Sequence, residues 1–581
     1  MILTENYESK YQIIYKDDPK PTDIYAAREL KKYIAKISGA TIAEYRDTRA
    51  EKPTEIVLGY TNRGGYTEAE KAELGDEGFI IRTEGEKLYI IGGNRGVIYG
   101  VYTFLEEYCG VRFYSRDFEK VPENKTIEVP AIECNKQIPT FSYRNSCWYA
   151  QNTPDISVKR KMNGGHCKEG KFTEEVGGSE EYYGGFCHTI AALAETGNIW
   201  DQPCLTDEKI YQTVLKNVRK ILTDYPQAKI VSITQNDGTN GQCKCEKCRA
   251  INDAEGSEAG TNIWFVNKIA EELEEEYPDV LFDTFAYTYT RVPPKTIRPR
   301  HNVVVRLCTI NTCFRHAIPD CPETPGYPAT GGSMADYTRR WSQISEHLAV
   351  WNYCTNFTNT PVIFPNIPAL QKNARFFAEN NVVSVFEQGS IATPNGEFGE
   401  LKGYLNAKLL WNPYMSEEEY NGHIREFCFD FYGPGAQNIL DFIDLTLTTS
   451  EESHFNVYFD DATKNCWCRE AGDWAKGRHL FIERATAMFD AAEKAVENGF
   501  QLANVRRSRI QLLDYIDFSL RHDIDENPDD EKYVAETKEK IYKTNEMRFE
   551  YMKRYGATCN HEFSDIERVG DPDYSDYALR W

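Results

Sequence analysis

Apolar positions along this chain follow a sequence of rhythms that divides it into three parts. Tyr11–Tyr15 reads as a strand, and Ile24, Ala27, Leu30, Ile34 and Ile37 then recur three or four residues apart. That spacing lines one face of a helix. Pro21 stands near its start and Gly39 at its end, positions that suit a ring-fixed φ and a left-handed terminus. Strands are predicted next at Glu55–Leu58, Phe79–Arg82 and Leu88–Ile91, followed by Gly92-Gly93-Asn94-Arg95-Gly96 and a helix through Tyr108. The glycine loop lacks the G-x-G-x-x-G spacing and the Walker lysine, so it reads as a turn and not as a phosphate cradle.

From Phe141 to about Pro413 strand-like runs alternate with helical patterns. Strands are predicted at Phe141–Tyr149, near Met162, and at Phe186–Ile190, Lys229–Asp237, Leu281–Tyr287, Val303–Cys308, Ala349–Tyr353 and Val382–Gln388. Eight strands alternating with helices over this length is the rhythm of a (β/α)8 TIM-type barrel. Beyond Pro413 the pattern is helical, with segments at Glu417–Phe431, Ala436–Leu447, His479–Glu497 and Ala503–His522. The acidic tract at 523–531 is expected to be a solvated connection. The fold class is therefore α/β. A small α/β domain (1–135) precedes the barrel (136–413), and a helical C-terminal domain (414–581) follows it.

Composition narrows the function. The 581 residues carry 67 Lys plus Arg against 90 Asp plus Glu, a formal charge of -23, which opposes nucleic-acid backbones and anionic membranes as partners. Aromatic residues are 13% of the chain, with 37 Tyr and 9 Trp, side chains that stack on the apolar faces of sugar rings. No run reaches the ~18 apolar residues of a membrane span, and the N-terminus has no apolar signal core. Seventeen scattered cysteines fit free thiols in a reducing compartment. The chain as written is expected to be cytoplasmic, or secreted if a leader has been removed.

The candidate chemistry lies at strand ends, where the reactive groups of α/β enzymes gather. Lys229–Asp237 ends in Asn236 and Asp237 before Gly238, and Val382–Gln388 delivers Glu387 and Gln388. Two carboxylates presented in this way suggest an acid/base pair, and glycoside hydrolysis is the commonest chemistry that needs one. Asp237 and Glu387 are the candidate catalytic residues, although Asn-Asp-Gly is also ordinary turn chemistry and Glu387 could instead sit in a buried ion pair. Asn236, Gln388, Arg144, Trp148, His188, Tyr287, Arg306, Trp351 and Tyr353 are the candidate substrate contacts, together making a polar pocket with aromatic walls. Cys243, Cys245 and Cys248 form a C-x-C-x-x-C cluster. They could hold a structural zinc if a fourth ligand comes from elsewhere in the fold, and no cofactor is expected for catalysis.

These residues also carry a resemblance. Ser232–Gly238 running into C-x-C-x-x-C, with Phe386-Glu387-Gln388-Gly389, Gly396-Glu397-Phe398-Gly399-Glu400-Leu401 and the stretch Tyr404–Trp411, resembles glycoside hydrolase family 163 over most of the chain. The first domain is similar to the small α/β domain that precedes the barrel in α-glucuronidases and β-hexosaminidases. The resemblance implies an endo-acting β-N-acetylglucosaminidase of N-glycans, with a retaining, substrate-assisted mechanism in a (β/α)8 barrel. In that mechanism the substrate's 2-acetamido carbonyl attacks the anomeric carbon. One group polarises the acetamide and one acid protonates the leaving oxygen, roles that Asp237 and Glu387 can fill, with Asn236 and Asp237 as an adjacent pair the alternative. The expected partner is an oligosaccharide or a glycoprotein glycan. Two other readings stand beside this one. An α-glucuronidase-like hydrolase would need Arg144 and Arg306 to hold the uronate, and a non-catalytic glycan-binding protein would keep the aromatic walls alone.

Overall fold

The computed structural model describes residues 1–165, 170–179, 182–198, 200–238, 241–321, 332–391, 394, 397–458 and 466–557. It divides into two compact units: 1–145 with 151–180 and 410–412, and 146–150 with 181–409 and 413–581. The strands from Tyr182 to Gln388 and the C-terminal helices lie in the second unit. Among the described residues no helix is long and apolar enough to cross a membrane.

The first unit is built on a six-stranded mixed sheet. Its order is Asn135–Gln137, Phe79–Glu84, Lys87–Gly92, Glu55–Leu58, Gln12–Tyr15 and Ala43–Arg46. The helix Pro21–Ser38 starts on Pro21 and stops at Gly39, whose φ of 75° takes the left-handed cap. Ala27, Leu30, Ile34 and Ile37 are buried as the spacing predicts. Ile24 is not, at 41% exposed, because the buried stripe drifts off it in the first turn. In the glycine loop a Cβ at Gly96 would stand 2.1 Å from the Gly78 carbonyl oxygen, and one at Gly93 would stand 2.3 Å from that of Gly75. Close packing of backbone on backbone explains both glycines without any ligand.

A curled seven-stranded sheet lies in the second unit but for residues 143–145 of its first strand, which belong to the first. From one edge to the other its strands are Tyr143–Ser146, Val382–Gln388, His347–Tyr353, Val303–Cys308, Leu281–Ala286, Ile230–Ser232 and Tyr182–Tyr183. Every pairing from Val382–Gln388 to Tyr182–Tyr183 is parallel. The first and last strands of the expected barrel are therefore neighbours, as closure requires, and the gap falls at the second. Near Met162 there is no strand; Asn163 and Gly164 each donate a backbone hydrogen bond to the Arg144 carbonyl. The third strand lies at Tyr182–Tyr183, ahead of the expected Phe186–Ile190. Among the described residues the result is a curled half-barrel of seven strands, where eight were expected.

Helices cover the outer face. Glu208–Asp224 is capped by Asp207, which accepts from the Lys209 amide, and buries Tyr211, Val214, Leu215, Val218 and Leu222. These pack with Val266 and Ile269 of the helix Ala259–Leu273 and with Val231, Phe282 and Val303 of the sheet. The C-terminal helices are Glu417–Tyr432, Ala436–Thr449, Trp474–Ala495 and Gly499–Glu526. The expected acidic connection at 523–531 is shorter than the tract itself. The fourth of these helices runs to Glu526, and a further helix, Glu531–Arg554, starts within the tract.

Candidate active site

Side chains alternate across each strand between the barrel interior and the helix layer. Phe282 packs outward on the helices, so Asp283 and Phe285 point inward. Register carries this across the sheet, because Phe285 pairs with Arg306, Cys308 with Trp351 and Trp351 with Phe386. Tyr287, Tyr353 and Gln388 complete the inward row at the carboxyl rim.

Asp237 is half-buried at this rim. Its Oδ1 accepts the Tyr287 phenol at 2.9 Å and the Gly238 amide at 2.7 Å. Burial first, then the neighbouring Tyr458 and Asp237, pushes the Tyr287 phenol well above its ordinary value. It therefore stays a donor and holds the carboxylate in one orientation. His188 lies beside this pair, its ring 6.0 Å from that of Tyr287. Its Nδ1 is 2.9 Å from the Gln235 carbonyl oxygen, which only a protonated nitrogen can bond, so Nε2 is the free end. Both His188 (φ 52°) and Thr288 (φ 49°) adopt left-handed backbone. Such strain persists where surrounding structure imposes it, and it clusters at functional sites.

Aromatic side chains form the wall. Trp351 donates its indole N–H to Gln388 Oε1 at 2.7 Å, so the two predicted contacts are joined. The Trp351 ring stands 4.7 Å from Phe386, 5.2 Å from Phe186 and 6.4 Å from Tyr353. Phe357 bridges Tyr353 and Tyr458, at 5.4 and 6.1 Å, and Tyr458 is 37% exposed. Sequence reading passed over Tyr458, since a lone tyrosine far along the chain carries no local signal.

Glu387 is on the other face. It pairs in register with Asn352, one residue out of step with the inward Trp351 and Phe386. Its Oε2 accepts Asn352 Nδ2 at 2.9 Å and the Cys354 thiol at 2.8 Å. Cys354 in turn accepts from Asn406 on the helix Gly399–Trp411. Burial pushes the Glu387 carboxyl above its ordinary value, outweighing those two hydrogen bonds. The expected convergence of Asp237 and Glu387 over one cavity is thus corrected: Glu387 is 5% exposed and turned to the helix layer. Among the described residues it has no partner for the buried ion pair weighed as the alternative either.

Four other expected contacts are also spent internally. Asn236 is fully buried, its Oδ1 accepting the Ala191 amide and its Nδ2 donating to the Asp201 carbonyl. Arg144 belongs to the first unit, where its guanidinium meets Glu77 at 2.8 Å and the carbonyls of Phe141 and Lys161. Arg306 points inward but is clasped by Asp283 and boxed by Phe186, Tyr182 and Phe285 at 4.4, 4.6 and 4.9 Å. Trp148 is 1% exposed and lies against Gly389 and Gly403, so it is floor and not wall.

The predicted thiol cluster gains its fourth member from upstream. Cys204 Sγ lies 3.7 Å from Cys245 Sγ and 3.8 Å from Cys248 Sγ, and the sulfurs of Cys204, Cys243, Cys245 and Cys248 all lie within 4.8 Å of one another. Tetrahedral zinc with Zn–S of about 2.3 Å sets its sulfurs roughly 3.8 Å apart, so the set fits the metal. Cys204, which the sequence does not single out, is the fourth ligand expected from elsewhere in the fold. A cavity under this loop is lined by Gln202, Pro203, Gln235, Asn262 and Tyr289, and Asp237 is not among its walls.

Several known proteins are similar. Residues 3–104 match the glycosyl hydrolase family 67 N-terminus, and residues 113–444 match the family described as Domain of unknown function (DUF4838). No curated protein matches. Among solved structures, a family GH115 4-O-methyl-α-glucuronidase with specificity for decorated arabinogalactans has a TM-score of 0.62 at 12% identity, over 99% of this chain and 80% of its own. A GH89 protein from Clostridium perfringens, in complex with GlcNAc-α-1,4-galactose, has a TM-score of 0.48 at 10% identity, over 94% of this chain and 69% of its own. The protein is thus assembled from domains like those of glycoside hydrolases, with the fold of the GH115 enzyme. Because the match at 113–444 spans more than half of its length, the chain belongs to the DUF4838 family.

Proposed function

We propose that this protein is a glycoside hydrolase that acts on β-linked glycans containing N-acetylglucosamine at the rim formed by Asp237, Tyr287, Trp351, Tyr353 and Tyr458. One observation carries the reading: Asp237 is a half-buried carboxylate, in no ion pair among the described residues, oriented by a phenol beside an aromatic wall. The wall suits the apolar face of a sugar ring, and the carboxylate suits accepting a hydrogen bond from a substrate N–H beside the scissile linkage. Net charge of -23 favours a neutral sugar.

A substrate-assisted course fits a rim from which Glu387 is turned away. The acetamide carbonyl oxygen of the substrate attacks the anomeric carbon as the glycosidic C–O bond breaks and its oxygen takes a proton from solvent water, a proton that the water adding to the cyclic intermediate later returns. Water then opens the cyclic intermediate with retention, so the protein supplies no nucleophile. We assign Asp237 to the acetamide N–H, whose proton it accepts in a hydrogen bond as the carbonyl becomes nucleophilic.

An α-glucuronide substrate is the second reading, favoured by the fold shared with the GH115 enzyme. The engagement of Arg144 by Glu77 and of Arg306 by Asp283 weighs against it. Chromogenic β-N-acetylglucosaminide and α-glucuronide and an intact N-glycan, tested on wild type, Asp237→Asn and Glu387→Gln, separate these readings. The first reading expects turnover of the N-acetylglucosamine substrates that falls ~100-fold or more in Asp237→Asn and is kept in Glu387→Gln. Turnover of the glucuronide alone selects the second. Glycan binding without turnover in all three proteins would leave a non-catalytic glycan-binding protein.

The same proposal includes a structural zinc on Cys204, Cys243, Cys245 and Cys248, supporting the loop that follows Asp237.

A further inference from the structure

A second ligand set lies in the same unit, away from the four-cysteine loop. The chain following strand Val303–Cys308 carries Cys313, His316 and Cys321, and the segment after helix Ala436–Thr449 brings in His454. One ligand atom of each lies within 4.8 Å of all the others. Cys313 Sγ is 3.5 Å from His316 Nδ1, and Cys321 Sγ is 3.3 Å from His454 Nδ1. With Zn–S near 2.3 Å and Zn–N near 2.0 Å, a tetrahedral site sets sulfur and nitrogen roughly 3.5 Å apart.

The tautomer of His316 agrees. Its Nε2 stands 2.8 Å from the Glu451 carbonyl oxygen, a contact that needs the proton on Nε2. Nδ1 then presents a bare lone pair toward the thiols, and a carbonyl behind the ring is the usual support for a metal-bound imidazole. Both cysteines are buried. Two thiolates and two neutral imidazoles around a divalent ion sum to zero charge, so the cluster can be buried at little electrostatic cost.

We propose that Cys313, His316, Cys321 and His454 bind one zinc ion, which clasps the 454–458 segment to the rim of the half-barrel. That segment has neither helix nor strand of its own. Beyond the ligands it is held by backbone bonds from Phe314 to Phe455 at 2.9 Å and from Phe357 to Val457 at 2.7 Å. Phe455 and Val457 enter the aromatic cluster and Tyr458 follows at the rim. The ion would thus fix one wall of the candidate site from behind while staying outside the chemistry.

Zinc content per chain, measured by mass spectrometry on protein purified without chelator, tests this. Wild type should carry one more zinc than His454→Ala, whereas His454→Cys, which keeps a fourth ligand, should hold the wild-type amount. Where His454→Ala fails to fold, the His454→Cys comparison with cobalt in place of zinc still decides. The visible d–d bands should be those of tetrahedral cobalt in both proteins, shifted toward a three-thiolate set in the variant. An unaltered spectrum, equal zinc in wild type and His454→Ala, or a zinc-free wild type with Cys313 and Cys321 joined in a disulfide would each overturn the proposal. Loss of zinc in Cys245→Ser reports the other cluster, and the readout is metal, so the fate of the hydrolase reading is decided separately.

Discussion

Tyr287 donates a hydrogen bond from its phenol to Asp237 Oδ1 at 2.9 Å, the one side-chain hydrogen bond to this carboxylate among the described residues. A hydrogen bond to a charged group is worth about 1.5–3 kcal/mol. Tyr287→Phe is accordingly expected to lower kcat roughly 10- to 100-fold with KM little changed. Steady-state kinetics check this, and a phenylalanine variant with the wild-type kcat would sever Tyr287 from the chemistry.

Glu387 gives a stability test with a definite sign. Burial holds its folded pKa above the ordinary carboxyl value, so the folded state prefers the protonated form. Its contribution is full below the unfolded pKa, about 4.3, and is lost as pH rises through the higher folded value. Glu387→Gln mimics the protonated form. Its stability relative to wild type should therefore climb with pH across that window and then level off, as read by urea unfolding at a series of pH values. A difference that is flat with pH would refute the assignment.

Lys402 and Glu397 form a buried ion pair, each 1% exposed at the side chain, and the lysine also bonds the Phe364 carbonyl at 2.9 Å. Burial works against both charges, pushing the Glu397 carboxyl up and the Lys402 ammonium down, and each is offset by the opposite charge beside it. Removing one partner strands a charge, so Lys402→Met should cost about 3–5 kcal/mol. Adding Glu397→Gln to that variant should recover most of the loss. Thermal or denaturant unfolding of the three variants gives the coupling, and additive single effects would contradict the pairing.

Gly389 follows the Glu387-Gln388 strand end, and a Cβ there would fall 2.1 Å from Trp148 Cδ2. Trp148 has no room to retreat, being 1% exposed and also in contact with Gly403. Gly389→Ala should destabilise the protein by about 1–3 kcal/mol, and Trp148→Leu in the same chain should relieve part of it. An alanine variant that melts with wild type would show that the floor is looser than this packing.

The lines of the fold legible in sequence were those written locally. Val303–Cys308 and Val382–Gln388 are strands at the expected residues, because β-branched apolar runs of that length have few other conformations open to them. Tyr182–Tyr183 and the chain near Met162 were misread because short strands of mixed polarity carry little periodic signal. The C-x-C-x-x-C cluster announced itself by spacing, while its partner Cys204 and the pairing of Cys321 with His454, 133 positions apart, did not.

What sequence alone determined here is the α/β alternation, the helical C-terminal part, the acidic surface and the presence of a carboxylate at each of two strand ends. Which way those carboxylates face was decided only by tertiary structure. A parallel strand buried on both sides is apolar on both, so Val382–Phe386 gives no alternation from which to read that Glu387 turns outward. The same holds for Arg144, Arg306 and Asn236, whose partners Glu77, Asp283 and Asp201 meet them only once the chain has folded.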